Sequence, residues 1–231
     1  MQRKTADKQK SVRAESSQFT EQRLRMVRGQ LSARGIHDPQ VLAAMNRVPR
    51  EAFVDPMFAD EAYDDNPLPI PNGQTVSQPF TVAFMAQALQ LTGTERVLEI
   101  GTGSGYGAAV LSCLSAEVHT IERIAALAQQ AKDRLSRLGF SNVHVHVANG
   151  NQGLPDHAPF DAIVVTAGAT ELPAPYVEQL ADGGRIVIPI GELPTSQTMY
   201  RFTRSGSKTK TESFGRFAFV PLIGEHGWPE V

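Results

Sequence analysis

The segment VLEIGTGSGYG, Val97 to Gly107, constrains the fold more than any other part of the chain. It places glycines at every second position from Gly101 to Gly107, directly after an apolar run. An apolar run that ends in a glycine-rich turn is typical of a strand–loop–helix unit whose bare backbone approaches a ligand. We therefore predict a ligand site at the end of a buried strand.

Apolar strands and amphipathic helices alternate on both sides of this loop. Alternation at this spacing indicates βαβ units, which predicts an α/β fold with a doubly wound, mainly parallel sheet. Two later runs, 199–202 and 217–222, predict a C-terminal antiparallel hairpin at one edge of the sheet. The predicted core strands are 96–100, 117–122, 143–147, 160–166 and 185–190, and the predicted core helices begin near residues 79, 106, 124 and 175.

The residues before this core form three segments that differ in composition and in hydrophobic spacing. Residues 1–17 are polar, and we predict that they form a flexible tail. Helical spacing follows, and then a proline-rich stretch that predicts an extended loop over the core. A length of 231 residues fits one domain. We divide that domain, residues 18–231, into N-terminal helices and loop (18–78), an α/β core (79–190) and C-terminal strands (191–231).

The overall composition excludes several partners. A formal net charge of −2 provides no field that would attract nucleic acid. No apolar stretch approaches the roughly 18–20 residues that span a bilayer, so we predict no membrane partner. The only cysteine is Cys113, so no intramolecular disulfide can form. We predict a cytoplasmic monomer.

Three nucleotide ligands compete for the glycine loop. A triphosphate would call for a lysine followed by Ser or Thr, and Tyr106 and Gly107 stand there instead. A dinucleotide fingerprint would place its third glycine at Tyr106, although that position varies. Glu99 would repel a pyrophosphate but attract the sulfonium and ammonium groups of S-adenosylmethionine, since at about 4 Å two opposite charges gain about 4 kcal/mol and two like charges lose as much. The charge favours S-adenosylmethionine and leaves an NAD-dependent oxidoreductase as an alternative.

A second acid supports a nucleoside ligand at this loop. Glu122 ends the next predicted strand, 21 positions after Gly101, where such folds place the acid that accepts ribose hydroxyls. The cofactor site predicted from these residues comprises Glu99, Gly101, Thr102, Gly103, Ser104, Gly105 and Glu122.

Several motifs in this chain resemble the protein-L-isoaspartate O-methyltransferase family. The motifs are the glycine loop VLEIGTGSGY, IER at 121–123 and GQTVSQP at 73–79; many class I methyltransferases share the glycine loop, whereas GQTVSQP is far more specific. The resemblance runs from about Leu24 to the C-terminus and also takes in VPREAFV (48–54), APFDAIVVTAG (158–168) and FVPLIGEHGW (219–228).

The resemblance implies a Rossmann-like class I methyltransferase domain that joins a methyl group of S-adenosylmethionine to an isoaspartyl carboxylate. The partners would be age-damaged proteins, and the ester would start their repair through a succinimide. A carboxylate with a pKa near 4 is already ionised at neutral pH, so the reaction needs no general base. The implied roles are Thr75 and Ser77 for the carboxylate, Gln78, Val220 and Pro221 for the peptide, and Asn149 with Gly150 for the adenine.

Asn149 and Asn151 depart from the family pattern. The family usually has an aspartate where this chain has Asn149, so we expect the adenine contact to lose its charge assistance. Asn151 stands where a large aromatic residue is common. These changes leave open a related methyltransferase with another substrate, or a cofactor-binding interaction protein without turnover.

Two histidines alternate with valines on the strand at 143–147. His144 and His146 would share one face and could bind a metal ion. Because the sequence shows no third ligand, we predict no metal site.

Overall fold

A seven-stranded sheet forms the centre of the structure, a computed structural model that describes residues 18–193 and 196–230. The tail predicted for residues 1–17 lies outside the described residues. The sheet strands, in chain order, are β3 (Arg96–Ile100), β4 (Glu117–Glu122), β5 (Val143–Val147), β6 (Phe160–Val165), β7 (Leu180–Leu193), β8 (Ser196–Ser205) and β9 (Lys208–Phe217). The helices are α1 (Pro39–Arg47), α2 (Pro79–Leu89), α3 (Tyr106–Ser112), α4 (Ala125–Arg137) and α5 (Ala174–Glu178).

The strand order confirms the doubly wound, mainly parallel fold. The order is β5-β4-β3-β6-β7-β8-β9. The first five strands in this order are parallel to one another, and β8 and β9 pair antiparallel at one edge. The chain enters this sheet at β3, continues outward through β4 and β5, and then crosses back to β6 on the other side of β3. This reversal lies between β3 and β6, where α/β sheets bind their ligands. The glycine loop follows β3 and therefore lies at the reversal.

Helices cover both faces of the sheet because neighbouring strand residues point in opposite directions. Val97 is fully buried and packs in one cluster with residues of α1, α2 and α3. The next residue, Leu98, is fully buried in a second cluster that includes Tyr176 of α5.

Local signals in the sequence set the ends of the N-terminal helices. A helical segment begins by residue 18, continues as a π-helix over Met26–Leu31 and a 3₁₀ turn, and stops at Gly35, whose φ of 96° suits glycine. The Asp38 side chain accepts a hydrogen bond from the Gln40 amide (2.8 Å), which caps α1 before Pro39.

The proline-rich stretch, which we predicted to be an extended loop, contains a β-hairpin. Strand β1 (Leu68–Ile70) pairs antiparallel with β2 (Gln74–Val76). Asn72 and Gly73 in the turn have φ values of 63° and 68°, which is the geometry of a tight hairpin turn. The GQTVSQP motif therefore begins in this turn, continues as strand β2 and ends at the first residue of α2.

The C-terminal hairpin is present, but the predicted second strand at 217–222 is wrong. The turn lies within SGSKTK, as Gly206 and Ser207, and β9 begins at Lys208. Residues 218–222 instead form an extended segment in which Phe219 and Leu222 are buried. Their apolar character reflects burial over the sheet. Strand β7 also continues past residue 190, where we divided the core from the C-terminal strands.

Within the described ranges, no helix combines the length and the apolar character needed to cross a membrane.

Candidate active site

A cavity of about 240 Å³ opens at the carboxyl ends of the parallel strands, next to the glycine loop. The β1–β2 hairpin and the segment after β9 form its outer walls. The predicted site residues that line it are Thr75, Ser77, Glu99, Gly101, Thr102, Gly103, Ser104, Glu122, Asn149, Gly150, Val220 and Pro221.

Two predicted site residues lie outside the cavity wall. Gly105 precedes α3, and a Cβ atom there would lie 3.2 Å from the Leu135 side chain of α4. Gln78 precedes α2 in the same way and does not line the cavity. Both positions serve helix starts, and Gly105 also permits close packing between α3 and α4.

Two other glycines in the loop are required by close neighbours. Gly101 has a φ of 104°, and a Cβ atom there would lie 2.3 Å from Thr166 Oγ1. That hydroxyl donates to the carbonyl oxygens of Ile100 (3.0 Å) and Gly101 (2.8 Å), which ties the loop to the end of β6. A Cβ atom at Gly107 would lie 2.3 Å from Glu99 Oε1. Gly107 therefore leaves the space that the Glu99 carboxyl group occupies.

The structure corrects our expectation that Glu99 is an ionised group at the mouth of the loop. Its side chain is buried, with 1% exposure, and Thr120 Oγ1 donates to its Oε2 atom at 2.6 Å. Thr102 Oγ1 lies 2.7 Å from the Thr120 hydroxyl. Burial raises the pKa of Glu99 from 4.5 to about 8, and the nearby Glu122 adds to the increase. In the free protein at pH 7, Glu99 is therefore mainly protonated.

This protonation predicts proton release when a cation binds. A positively charged ligand in the cavity lowers the pKa of Glu99, so binding of S-adenosylmethionine at pH 7 should release up to one proton. The isosteric variant Glu99→Gln has no proton to release at this position, so its proton count should be lower by the number that Glu99 releases. It should also bind S-adenosylmethionine about tenfold or more weakly, because loss of the attraction between carboxylate and cation by 1.4 kcal/mol is a factor of ten. Calorimetry in two buffers of different ionisation enthalpy measures the proton count, and equal counts for both proteins would contradict the prediction.

The same variant tests the raised pKa without a ligand. Between the ordinary pKa of 4.5 and the folded-state pKa of about 8, the folded protein holds a proton that the unfolded chain has lost. This group's contribution to stability therefore falls as pH rises, by at most about 1.4 kcal/mol per pH unit. Urea unfolding at pH 5 to 9 should show Glu99→Gln gaining stability relative to the parent chain over this window.

The Glu122 carboxyl group suits the predicted ribose contact. Its Oε2 atom accepts from the Gly103 amide (2.9 Å) and its Oε1 atom from the Ile124 amide (3.0 Å). A carboxylate offers about four acceptor sites, so each oxygen keeps one for a ribose hydroxyl. Glu122 thus fixes the glycine loop to the end of β4 and retains the acceptors that a ribose diol needs.

Asn149 lines the cavity, but its acceptor oxygen already has partners. Its Oδ1 atom accepts from the backbone amide (3.1 Å) and the side-chain Nδ2 (2.8 Å) of Asn151. Asn151 is buried and also contacts the C-terminal segment, donating to the Ile223 carbonyl (2.6 Å) and accepting from the His226 amide (3.0 Å). Asn151 therefore joins the part of the cavity that carries Asn149 to its C-terminal wall.

Sequence reasoning missed three residues that hold the site together. Arg50 is fully buried and donates to the carbonyl oxygens of Ala62 (2.6 Å), Ser77 (2.8 Å) and Asn66 (3.2 Å). Burial lowers its pKa. Thr120 and Thr166 form the hydrogen bonds described above. The two threonines could have been found by their place near the carboxyl ends of parallel strands, and Arg50 by its position among the apolar residues of the VPREAFV motif.

The strand order, the glycine cradle and the carboxyl group of Glu122 define a Rossmann-like S-adenosylmethionine-dependent methyltransferase. The sequence pattern of protein-L-isoaspartate(D-aspartate) O-methyltransferase (PCMT) matches residues 22–227. The chain belongs to this family.

Relatives and solved structures agree with that assignment. Protein-L-isoaspartate O-methyltransferase 1 of Rhodopseudomonas palustris is 53% identical over 94% of this chain and 89% of its own length. Protein-L-isoaspartate O-methyltransferase 2 of Marinobacter nauticus is 56% identical over 88% and 94%. A protein-L-isoaspartate O-methyltransferase structure, 30% identical, has a TM-score of 0.78 and covers 88% of this chain and 66% of its own. A Plasmodium falciparum structure described as a beta-aspartate methyltransferase in complex with S-adenosyl-L-homocysteine, 27% identical, has a TM-score of 0.72 over 86% and 96%.

Proposed function

We propose that Ser77 and Thr75 hold the substrate carboxylate of this methyltransferase at the open side of the cofactor cavity. The chain is an S-adenosylmethionine-dependent protein carboxyl methyltransferase. It transfers a methyl group to the carboxylate of L-isoaspartyl residues in damaged proteins. The methyl ester has a better leaving group than the free acid, so the neighbouring backbone nitrogen can attack its carbonyl carbon, expel methanol and close a succinimide.

The observation that supports these roles is the shared cavity of GQTVSQP and the glycine loop. Thr75 and Ser77 line the same cavity as Gly103 and Glu122. Within the described ranges, no protein group hydrogen-bonds the hydroxyl groups of Thr75 and Ser77, so both remain available as donors. The backbone of Ser77 is held in place by Arg50.

The chain's contribution to the reaction is positioning. When bound, S-adenosylmethionine supplies an electrophilic methyl group. Glu122, Gly101 and Gly103 would hold the cofactor, while Ser77 and Thr75 orient the carboxylate toward it. The carboxylate is ionised without a base, and correct placement of two reacting groups can supply roughly 7–11 kcal/mol of the barrier.

The segment after β9 is suited to contact the peptide around the isoaspartyl residue. Gly168 donates to the Val220 carbonyl (2.8 Å) and accepts from the Leu222 amide (2.7 Å), which fixes the segment beside β6. Val220 and Pro221 both line the cavity, so they can contact an extended peptide.

The proposal also includes a monomeric state and a cytoplasmic location. A fold that uses no disulfide supports the cytoplasmic location.

Paired peptides that differ only in isoaspartate against aspartate test the substrate and the two hydroxyl groups. The parent chain should form ester only on the isoaspartyl peptide. Ser77→Ala should lower kcat/KM by roughly 100-fold, as loss of one positioned donor does elsewhere, while cofactor affinity stays nearly unchanged. Thr75→Ala should act in the same direction, and Ser141→Ala, which removes an exposed serine, serves as the matched control.

The other outcomes identify the alternatives. Ester on neither peptide, with cofactor binding intact, would indicate a methyltransferase for another substrate or a protein without turnover. Full activity of Ser77→Ala would remove Ser77 from its proposed role without affecting the substrate assignment.

A further inference from the structure

Four of the six histidines gather on one face of β4 and β5, away from the cofactor cavity. His119 of β4 and His144 of β5 are partners in the parallel register, and His146 follows two positions later on the same face. His157 reaches the group from the 3₁₀ turn Pro155–His157. The ring centroids of His119 and its three neighbours lie 4.5–5.2 Å apart.

Three of these rings have the spacing of a metal site. One ring nitrogen from each of His119, His146 and His157 lies within 4.8 Å of the other two. The closest approach joins His119 Nδ1 and His146 Nε2 at 3.0 Å. Zinc binds imidazole nitrogen at about 2.0–2.1 Å in a tetrahedral arrangement, which places neighbouring ligand nitrogens roughly 3.4 Å apart. Small side-chain movements would therefore bring the three nitrogens around one ion.

His119 carries an unsatisfied polar atom that a metal site would explain. The residue is only 3% exposed, and its Nε2 atom is buried with no hydrogen-bond partner. Glu117 Oε1 lies 3.4 Å from this atom without hydrogen-bond alignment. Histidines that bind a metal through one nitrogen usually present the other N–H to a carboxylate.

We propose that His119, His146 and His157 bind one divalent metal ion of the zinc type, with Glu117 as the outer carboxylate partner of His119. Imidazole ligands favour Zn²⁺, Ni²⁺ and Cu²⁺ over Mg²⁺ and Ca²⁺. The ion would connect β4, β5 and the 3₁₀ turn. Because β4 ends at Glu122, the ion would stiffen a strand that also supports the cofactor cavity, without contacting the cavity itself.

The test measures Zn²⁺ binding to the untagged full chain by calorimetry and by metal content after dialysis. The parent chain should bind one Zn²⁺ per molecule and gain thermal stability with Zn²⁺ but not with Mg²⁺. His157→Gln and His146→Gln replace half-buried rings, and each should weaken binding by at least roughly 10- to 100-fold, the loss typical even of outer partners. His37→Gln, an exposed histidine outside the cluster, is the matched control.

Two results would overturn the proposal. One is the absence of stoichiometric Zn²⁺ binding by the folded parent chain. The other is binding that both cluster variants retain at full affinity, since the ion would then occupy a different surface site. Circular dichroism of each variant without metal shows that a lost site is not a lost fold.

Discussion

Arg50→Met should lower the free energy of unfolding by about 3 kcal/mol or more and reduce methyl transfer at least about 100-fold. The guanidinium group donates to three backbone carbonyl oxygens, those of Ala62, Asn66 and Ser77. Methionine fills similar space but leaves these acceptors without their donor, and each unsatisfied buried group costs about 1–3 kcal/mol. The loop carrying Ser77 then loses its anchor, and a displacement of about 1 Å can cost 10²-fold in rate.

Arg47→Met provides a matched control only three residues away. Arg47 is exposed at the end of α1, so the same substitution should change stability by no more than about 0.5 kcal/mol. Arg50→Lys should fall between the parent chain and Arg50→Met, because an ammonium group keeps the charge but cannot reproduce the planar fork.

Urea unfolding and kcat/KM for the isoaspartyl peptide, taken well below the unfolding midpoint, measure the two effects separately. A loss of stability with unchanged turnover would show that Arg50 supports the fold without positioning Ser77. Equal effects of Arg47→Met and Arg50→Met would contradict the role of the buried hydrogen bonds altogether.

Local signals in the sequence were sufficient for most elements of the fold. The Asp38 cap, the glycine stop at Gly35 and the apolar strand of 96–100 depend on neighbours within a few residues, and the strand lies where the pattern predicted. The run at 217–222 failed because a buried extended segment and a core strand have the same apolar composition. Only tertiary packing distinguishes them.

The chemistry of the site depended on contacts that no local pattern contains. Both faces of β3 are buried, so alternation could not show that Glu99 points into the protein, where burial raises its pKa. The carbonyl partners of Arg50 lie 12 to 27 residues away in sequence. The third and fourth histidines of the cluster, His119 and His157, come from another strand and a turn, so the alternating pair at 143–147 gave no indication of them.

Gly101→Ala should weaken S-adenosylmethionine binding about tenfold or more, through its contact with Thr166. The new Cβ atom would lie 2.3 Å from Thr166 Oγ1, so the hydroxyl must move and give up its hydrogen bonds to Ile100 and Gly101. The hydroxyl has a single proton that the two carbonyl oxygens share, so its loss costs about 0.5–1.5 kcal/mol, and 1.4 kcal/mol is a factor of ten in affinity. The φ of 104° adds backbone strain of roughly 1–2 kcal/mol.

Two further variants separate the steric contact from the strain. Gly93 has nearly the same φ, 105°, with no atom within 4 Å of a Cβ position, so Gly93→Ala should cost stability and leave cofactor affinity unchanged. In a Thr166→Ala background the clashing oxygen is gone, and Gly101→Ala should lose much less affinity there than in the parent chain. Calorimetric titration with S-adenosylmethionine gives the affinities of the parent chain, the three single variants and the double variant. An equal penalty in both backgrounds would mean that strain, rather than contact with Thr166, excludes a side chain at Gly101.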